Sequence, residues 1–359
     1  MKSDLLSALW TATQAPALSA QEWETLLAQA SATRLSARLA LHFQAQGWNA
    51  QMPERAWLQL QNSLRYDQVQ QRDVMQEVRY LKRALAQVDT PVVLLKGAAY
   101  LAGGLPMARG RLFSDIDILV RRDKLRDVEL ALMAGGWLPE KLKPYDDRYY
   151  RQWMHELPPL RHVQRQTYLD VHHTLAPPTS RFVIDGQDML ERSQVIRIDD
   201  GDSQQLRILA PTDLVLHSTL HLMQEGDFQA GLRDLLDIRD LLLHYGQDRH
   251  FWPALDARAR VLDLQDVLAQ VLWQLQRLFG LRPPATWNWP QATRRSAFLK
   301  QLLSCVLTPQ VARAEPVSTR CARFAMYVRS HWLRMAWYQI VPHISRKAWA
   351  RLVHTDLPT

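Results

Sequence analysis

The spacing of apolar and polar positions changes character twice along this chain of 359 residues. Over 1–88 apolar residues recur at three- and four-residue steps, the repeat of one helical face. Ser19 followed by Glu22 forms a capping box, which predicts a helix running to about residue 30. A second helix is expected over 35–45. Pro53, at a first helical position, opens a long amphipathic segment carrying Leu58, Leu64, Val69, Val74, Val78, Leu81 and Leu85.

Between 89 and 208 the pattern becomes that of strands. Residues 92–95 (Val-Val-Leu-Leu) have the composition of a buried strand. Lys96 and Gly97 end it, a short Ala-rich helix follows, and a Gly/Pro/Arg loop covers 103–111. In the next strand, 114–120, Asp115 and Asp117 alternate with Ile116, Ile118 and Val120. Successive side chains of a strand point to opposite faces, so the two aspartates share one. A helix is expected over 122–134, stopped by Gly135-Gly136, with a short strand at Trp137. A hairpin is expected over 156–175: one strand at 157–163, a polar turn at 164–166, and a second strand holding Asp170 and His172 on one face. A further short strand is expected over 193–198. From 209 the helical repeat returns, through Pro211-Thr212-Asp213, His217 and His221, to a strongly amphipathic stretch at 233–245 closed by Gly246. Gly280 and Pro283-Pro284 mark the last boundary.

Four segments result: a helical region 1–88, an α/β core 89–208, a helical companion 209–282 and a basic, Trp-rich helical tail 283–359. The expected class is α+β, a mixed β-sheet flanked by N-terminal and C-terminal helical regions. No internal repeat interrupts it.

Composition narrows this picture only a little. The chain is 47% hydrophobic and 22% charged, as in globular proteins. A net charge of +8 and a pI near 9.6 favour anionic partners. Cys305 and Cys321 make neither a disulfide framework nor a metal quartet, and two buried thiols of a reducing compartment are expected. No apolar run is long enough to span a membrane, and the apolar run after Lys2 is too short for a secretory signal. A cytoplasmic protein is expected, with a peripheral membrane contact open to its basic tail.

The chemistry centres on 91–120. Two carboxylates side by side repel unless a cation sits between them, and a hard divalent ion, magnesium, is the natural one. Asp170, on a strand able to pair beside 114–120, is the best third member. Such a trio can hold two magnesium ions roughly 3.5–4 Å apart, the arrangement of phosphoryl and nucleotidyl transfer. Gly97 lets the backbone approach a polyphosphate, while Lys96, Arg109 and Arg111 lie close enough in sequence to meet it.

These residues carry a resemblance. Leu95-Lys96-Gly97, Arg111, Asp115-Ile116-Asp117-Ile118-Leu119-Val120 and Leu169-Asp170-Val171-His172 together resemble the DNA polymerase β-type nucleotidyltransferase superfamily. More narrowly, they resemble an uncharacterised bacterial nucleotidyltransferase-like family, over roughly 90–245. The resemblance implies a polymerase-β-like core with a mixed sheet, a helical companion, magnesium and a nucleoside triphosphate, ATP by preference. It maps the catalytic, metal-holding carboxylates onto Asp115, Asp117 and Asp170. Lys96, Gly97, Arg109, Arg111, Ser114 and His172 fall to the nucleotide side. Two departures stand out: Ala98 replaces the second small Gly or Ser of the superfamily motif, and the interval from Gly97 to Asp115 is long.

The expected activity is transfer of an NMP from an NTP to an acceptor hydroxyl or phosphate. The acceptor is open between a small molecule, a protein side chain and an RNA end. The alternative is a degenerate transferase fold acting as a binding or regulatory module. His217 and His221 stand at i, i+4 without the Glu of a zinc helix motif, so a packing role is expected. Arg233 and Asp234 are expected to pair. The tail reads as a solvated helical face, as a nucleic-acid groove using Trp332, Trp337 and Trp349, or as an interfacial helix on anionic lipid.

Overall fold

The computed structural model describes residues 5–140, 144–198, 205–284, 287, 294–309 and 316–334. In chain order the elements are α1 (Leu5–Leu9), α2 (Ala20–Ala32), α3 (Ser36–Ala45), α4 (Glu54–Ala84), β1 (Val92–Leu95), α5 (Lys96–Ala102), β2 (Ile116–Leu119), α6 (Leu125–Ala134) and β3 (Trp137–Pro139). They continue with α7 (Pro144–Trp153), β4 (Leu160–His162), β5 (Tyr168–His172), α8 (Gly186–Arg192), β6 (Gln194–Val195), β7 (Leu206–Ile208) and α9 (Pro211–Gln224). The described chain closes with α10 (Gly231–Tyr245), α11 (Phe251–Val261), α12 (Gln265–Phe279), α13 (Arg294–Leu307) and α14 (Val317–Arg334). The class is α+β, with one mixed sheet among many helices.

The sheet runs β3-β4-β5-β2-β1-β7-β6. Its central strand is β2, and beside it lies β1, whose four side chains are fully buried, as an apolar run covered on both faces demands. β1 lies antiparallel to β2, with Leu95 opposite Asp117, and parallel to β7. β2 lies parallel to β5, and that register sets Asp117 across from Asp170 and Leu119 across from His172. A one-residue slip would turn every one of these carboxylates to the opposite face.

The N-terminal helices brace the loop that leads into β2. Ser19 and Glu22 form the capping box of α2. In α4, Gln70 donates to Phe113 O at 3.2 Å and accepts from Phe113 N at 3.1 Å, while Asp67 accepts from Gly110 N at 3.0 Å. From α3, Arg38 reaches Asp237 at 2.9 Å and Asp240 at 3.3 Å, and donates to the carbonyl of Met107. Gly110 has φ 72°, and a Cβ there would meet the Arg38 backbone, so this loop is pressed against α3. One contiguous apolar core runs from the first helices through the sheet to α14.

Several local expectations shift. Pro53 is the extended N-cap of α4, with φ −56° and ψ 133°, so Glu54 is the first helical residue. β2 begins at Ile116, leaving Ser114 and Asp115 just ahead of the strand. The expected strand over 193–198 is the two-residue β6. A 3-10 turn at Arg122–Lys124 precedes α6. Cys305 and Cys321 are free thiols, but Cys321 is exposed, because it falls off the buried stripe of α14 formed by Thr319, Ala322, Met326, Ser330 and Leu333.

Part of the basic tail turns inward. Arg329 donates to Met223 O at 2.9 Å, Arg334 to Gln224 O, and Arg323 to Asp227 O at 2.7 Å. Three guanidinium groups of α14 thus satisfy carbonyls at and just beyond the C-terminal end of α9, where helix carbonyls lack internal partners. Trp332 is partly covered by Arg181, 4.1 Å from its ring. Trp337, Arg346, Lys347, Trp349 and Arg351 lie outside the described residues. Among the described residues no helix is long and apolar enough to cross a membrane.

Candidate active site

Asp117 is a charged residue inside the sheet, 3% exposed. Burial alone would raise its pKa. Lys96 Nζ and His172 Nε2, each 3.0 Å from Oδ1, reverse that and hold the carboxyl well below its usual range. Lys96 is in turn kept above its ordinary value: burial acts against its charge, but Asp117, Asp115 and Glu156 outweigh it. The lysine achieves this from a φ of 46°, the left-handed region that side chains other than glycine rarely take. That conformation costs about 1–2 kcal/mol, which the pairing with Asp117 offsets.

Asp170 behaves in the opposite way. Burial first, then the carboxylates of Asp117 and Glu156, push its pKa up to about 7. Asp115 is half-buried at the entry to β2, and Ser114, exposed, donates to its Oδ1 at 2.7 Å. One oxygen from each of Asp115, Asp117 and Asp170 lies within 4.8 Å of the others. An all-carboxylate set of this kind suits a hard divalent ion, and the raised pKa of Asp170 records negative charge that Lys96 and His172 leave uncompensated.

Two cavities meet at these carboxylates and share Lys96, Asp115, Asp117, His221 and Glu225. The first, about 240 Å³, is lined further by Arg34, Gly97, Arg111, Ser114 and Arg233. The second, about 220 Å³, adds His155, Glu156, Asp170, His172, His217 and Arg334.

The phosphate-side expectations are distributed unevenly. Lys96, Gly97, Arg111 and Ser114 do line the first cavity. Arg109 is exposed and stands outside the lining of both. Arg111 is buried and committed, its Nε 2.8 Å from Asp237 Oδ2 and its guanidinium lying against Tyr100 and Phe113. Gly97 also has a packing reason: a Cβ there would collide with the Arg111 guanidinium and come within 3.0 Å of the Phe113 ring. The close approach that Gly97 permits in the structure is therefore by an arginine of the chain itself. Ala98 is buried in the core.

Helix α9 closes the other side. Ser218 meets Tyr100 of α5, oxygen to oxygen at 2.6 Å. His217 is 5% exposed; burial and the nearby Lys96 charge push its pKa down to about 3, so it is neutral. Burial and Lys96 likewise hold His221 well below its usual value. Both histidines face the carboxylate centre, beyond the packing role their spacing suggested. Arg233 and Asp234 pair at 2.7 Å as expected, on the rim of the first cavity.

Sequence patterning missed Arg34, His155, Glu156, Glu225 and Asp237. Glu156 joins the sheet through a single bridge to His172, one residue before the strand expected to start at 157. Extending the alternation by that residue would have exposed it. Asp237 lies on the buried face of an amphipathic helix, where a charge among leucines was itself a signal.

The sequence profile of a family described as uncharacterised nucleotidyltransferase matches residues 19–280. The chain belongs to that family. The matched span of this nucleotidyltransferase-family chain runs from the cap of α2 to the end of α12, and contains all three carboxylates and every lining residue named above except Arg334. Among solved structures, an antigenic nucleotidyltransferase-like protein from Paracoccidioides brasiliensis is similar at 17% identity, over 54% of this chain and 91% of that one, with a TM-score of 0.31. No curated protein matches.

Proposed function

We propose that the protein is a magnesium-dependent nucleotidyltransferase that moves an NMP from a nucleoside triphosphate, ATP by preference, to an acceptor hydroxyl or phosphate. The acceptor oxygen forms a bond to the α-phosphorus, the α–β phosphoanhydride bond breaks, and pyrophosphate leaves. The observation that carries this reading is the convergence of three carboxylate oxygens within 4.8 Å, on adjacent strands, where two polar cavities meet.

Asp115, Asp117 and Asp170 would hold the magnesium. When bound there, the ion supplies charge neutralisation for the phosphates and activation of the attacking hydroxyl. The chain's own groups do the rest. Arg34, Lys96 and Arg233 bring positive charge to the first cavity, the side suited to a triphosphate. Asp170, with a pKa near 7 before any ion binds, is suited to take the acceptor's proton. His172, donating to Asp117, orients that carboxylate. The free thiols Cys305 and Cys321 fit a cytoplasmic setting.

The test is thermal stabilisation by ATP with and without magnesium. A magnesium-dependent rise that disappears in Asp115→Asn combined with Asp117→Asn is expected; no magnesium-dependent nucleotide response in the wild type sinks the reading. One observation favours a second reading, a non-catalytic nucleotide-binding module: Asp117 is already charge-compensated from two sides by Lys96 and His172. A nucleotide response that persists in EDTA and in the double variant would select the module.

A further inference from the structure

The second cavity contains a cluster of which transfer by the three aspartates uses His172 alone. His155 and Glu156 follow the end of α7, and the Glu156 backbone is bridged to His172 on β5. Glu156 Oε2 stands 3.4 Å from His172 Nδ1 and 3.7 Å from His155 Nε2. One ligand atom from each of the three residues falls within 4.8 Å of the others.

Asp117 fixes one ring nitrogen of His172. Its Nε2 lies 3.0 Å from Asp117 Oδ1, and an ionised carboxylate can only accept, so Nε2 carries a hydrogen. Nδ1 is left facing a second carboxylate, that of Glu156, and makes no hydrogen bond although His172 is only 4% exposed. The Nδ1 of His155 is buried without a partner as well. A ring nitrogen and a carboxylate oxygen at this range need a proton or a metal cation between them, and a metal ion would displace the proton.

We propose that His155, Glu156 and His172 hold a divalent transition-metal ion of the zinc type, at a centre distinct from the aspartate trio. Ligands about 2.0–2.2 Å from a tetrahedral ion stand roughly 3.3–3.6 Å from one another, and the pairs at 3.4 and 3.7 Å lie within and just beyond that range. Two imidazoles and one carboxylate favour such an ion over magnesium, which prefers oxygen alone. His172 links the two centres, one ring nitrogen ligating while the other donates to Asp117, the usual arrangement of a ligating histidine and its carboxylate. The cavity leaves the remaining position to water. A competing group, His221, Glu225 and Asp234, is a poorer site because Arg233 already holds Asp234 at 2.7 Å.

This centre does not depend on nucleotidyl transfer, and its test does not either. Full-length protein stripped of metal is titrated with Co²⁺ in excess magnesium. One equivalent should bind with the visible bands of four-coordinate cobalt, and Zn²⁺ should displace it. His155→Ala and the near-isosteric Glu156→Gln should each weaken binding by roughly tenfold or more. Both should also lose the Zn²⁺-induced rise in melting temperature while melting like the wild type in EDTA. Glu225→Gln and Asp115→Asn should retain the cobalt spectrum. The proposal is overturned by absence of saturable cobalt binding to the folded chain, by unchanged binding in Glu156→Gln, or by loss of binding in Glu225→Gln instead.

Discussion

At the scale of single residues, the site sets like charges against one another and separates their proton affinities. Asp117 is fixed as an anion, whereas Asp170 titrates near 7. Its pKa in the unfolded chain is the ordinary carboxylate value of about 3.9. The folded state therefore binds that proton more tightly, and metal-free stability should fall as pH rises from about 4 through 7. If magnesium binds as proposed, it competes with the proton for one carboxylate, so stabilisation by magnesium should be larger near pH 8 than near pH 5. Melting curves in EDTA and in magnesium across that range check this, and Asp170→Asn should flatten the difference. Gly97 offers a second test. Alanine gains roughly 1 kcal/mol of helix propensity in α5, but overpacking against a pinned guanidinium costs about 1–3 kcal/mol. Gly97→Ala should thus destabilise the metal-free protein in urea. A variant that keeps wild-type stability and loses only nucleotide binding would return Gly97 to the phosphate role.

At the scale of elements, the polar residues that hold the site lie on helices whose own pattern conceals them. Asp237 of α10 is 2% exposed and faces both Arg38 and Arg111. Removing it leaves the buried Arg111 without its carboxylate and Arg38 with Asp240 alone, so Asp237→Ala should cost about 3–5 kcal/mol, read from chemical denaturation. Period-two alternation made Asp115 and Asp117 legible as neighbours, and the strand-like setting of Asp170 made it the natural third. The partners of Arg111 and Gly97 were not legible. Their environment depends on a helix 126 residues further on, and local spacing carries no record of a through-space pair. α9 was hidden for another reason. Nearly every residue from Thr212 to Gln224 is buried, so no apolar stripe distinguishes the side that bears His217 and His221.

At the scale of the molecule, the α+β class and the helical flanks were legible, because a change of period is a global signal. The use of the tail was not. Its arginines read as an excess of surface charge, whereas three of them bond carbonyls at or just past the end of α9. A chain ending after residue 309 should therefore melt at lower temperature, and with α9 loosened it should lose any metal-dependent nucleotide response. Retention of both would assign α14 a purely peripheral role.

The Arg38–Asp237–Arg111 cluster also bears on when the site can exist. The Arg111–Asp237 bond closes a span of 126 residues, and Arg38 brings in the opposite end of the chain. Contacts of such sequence separation form late, after the loop-closure entropy has been met by other structure. The loop entering β2 is tied to that cluster through Arg111, so the order of the carboxylate edge depends on contacts between distant parts of the chain.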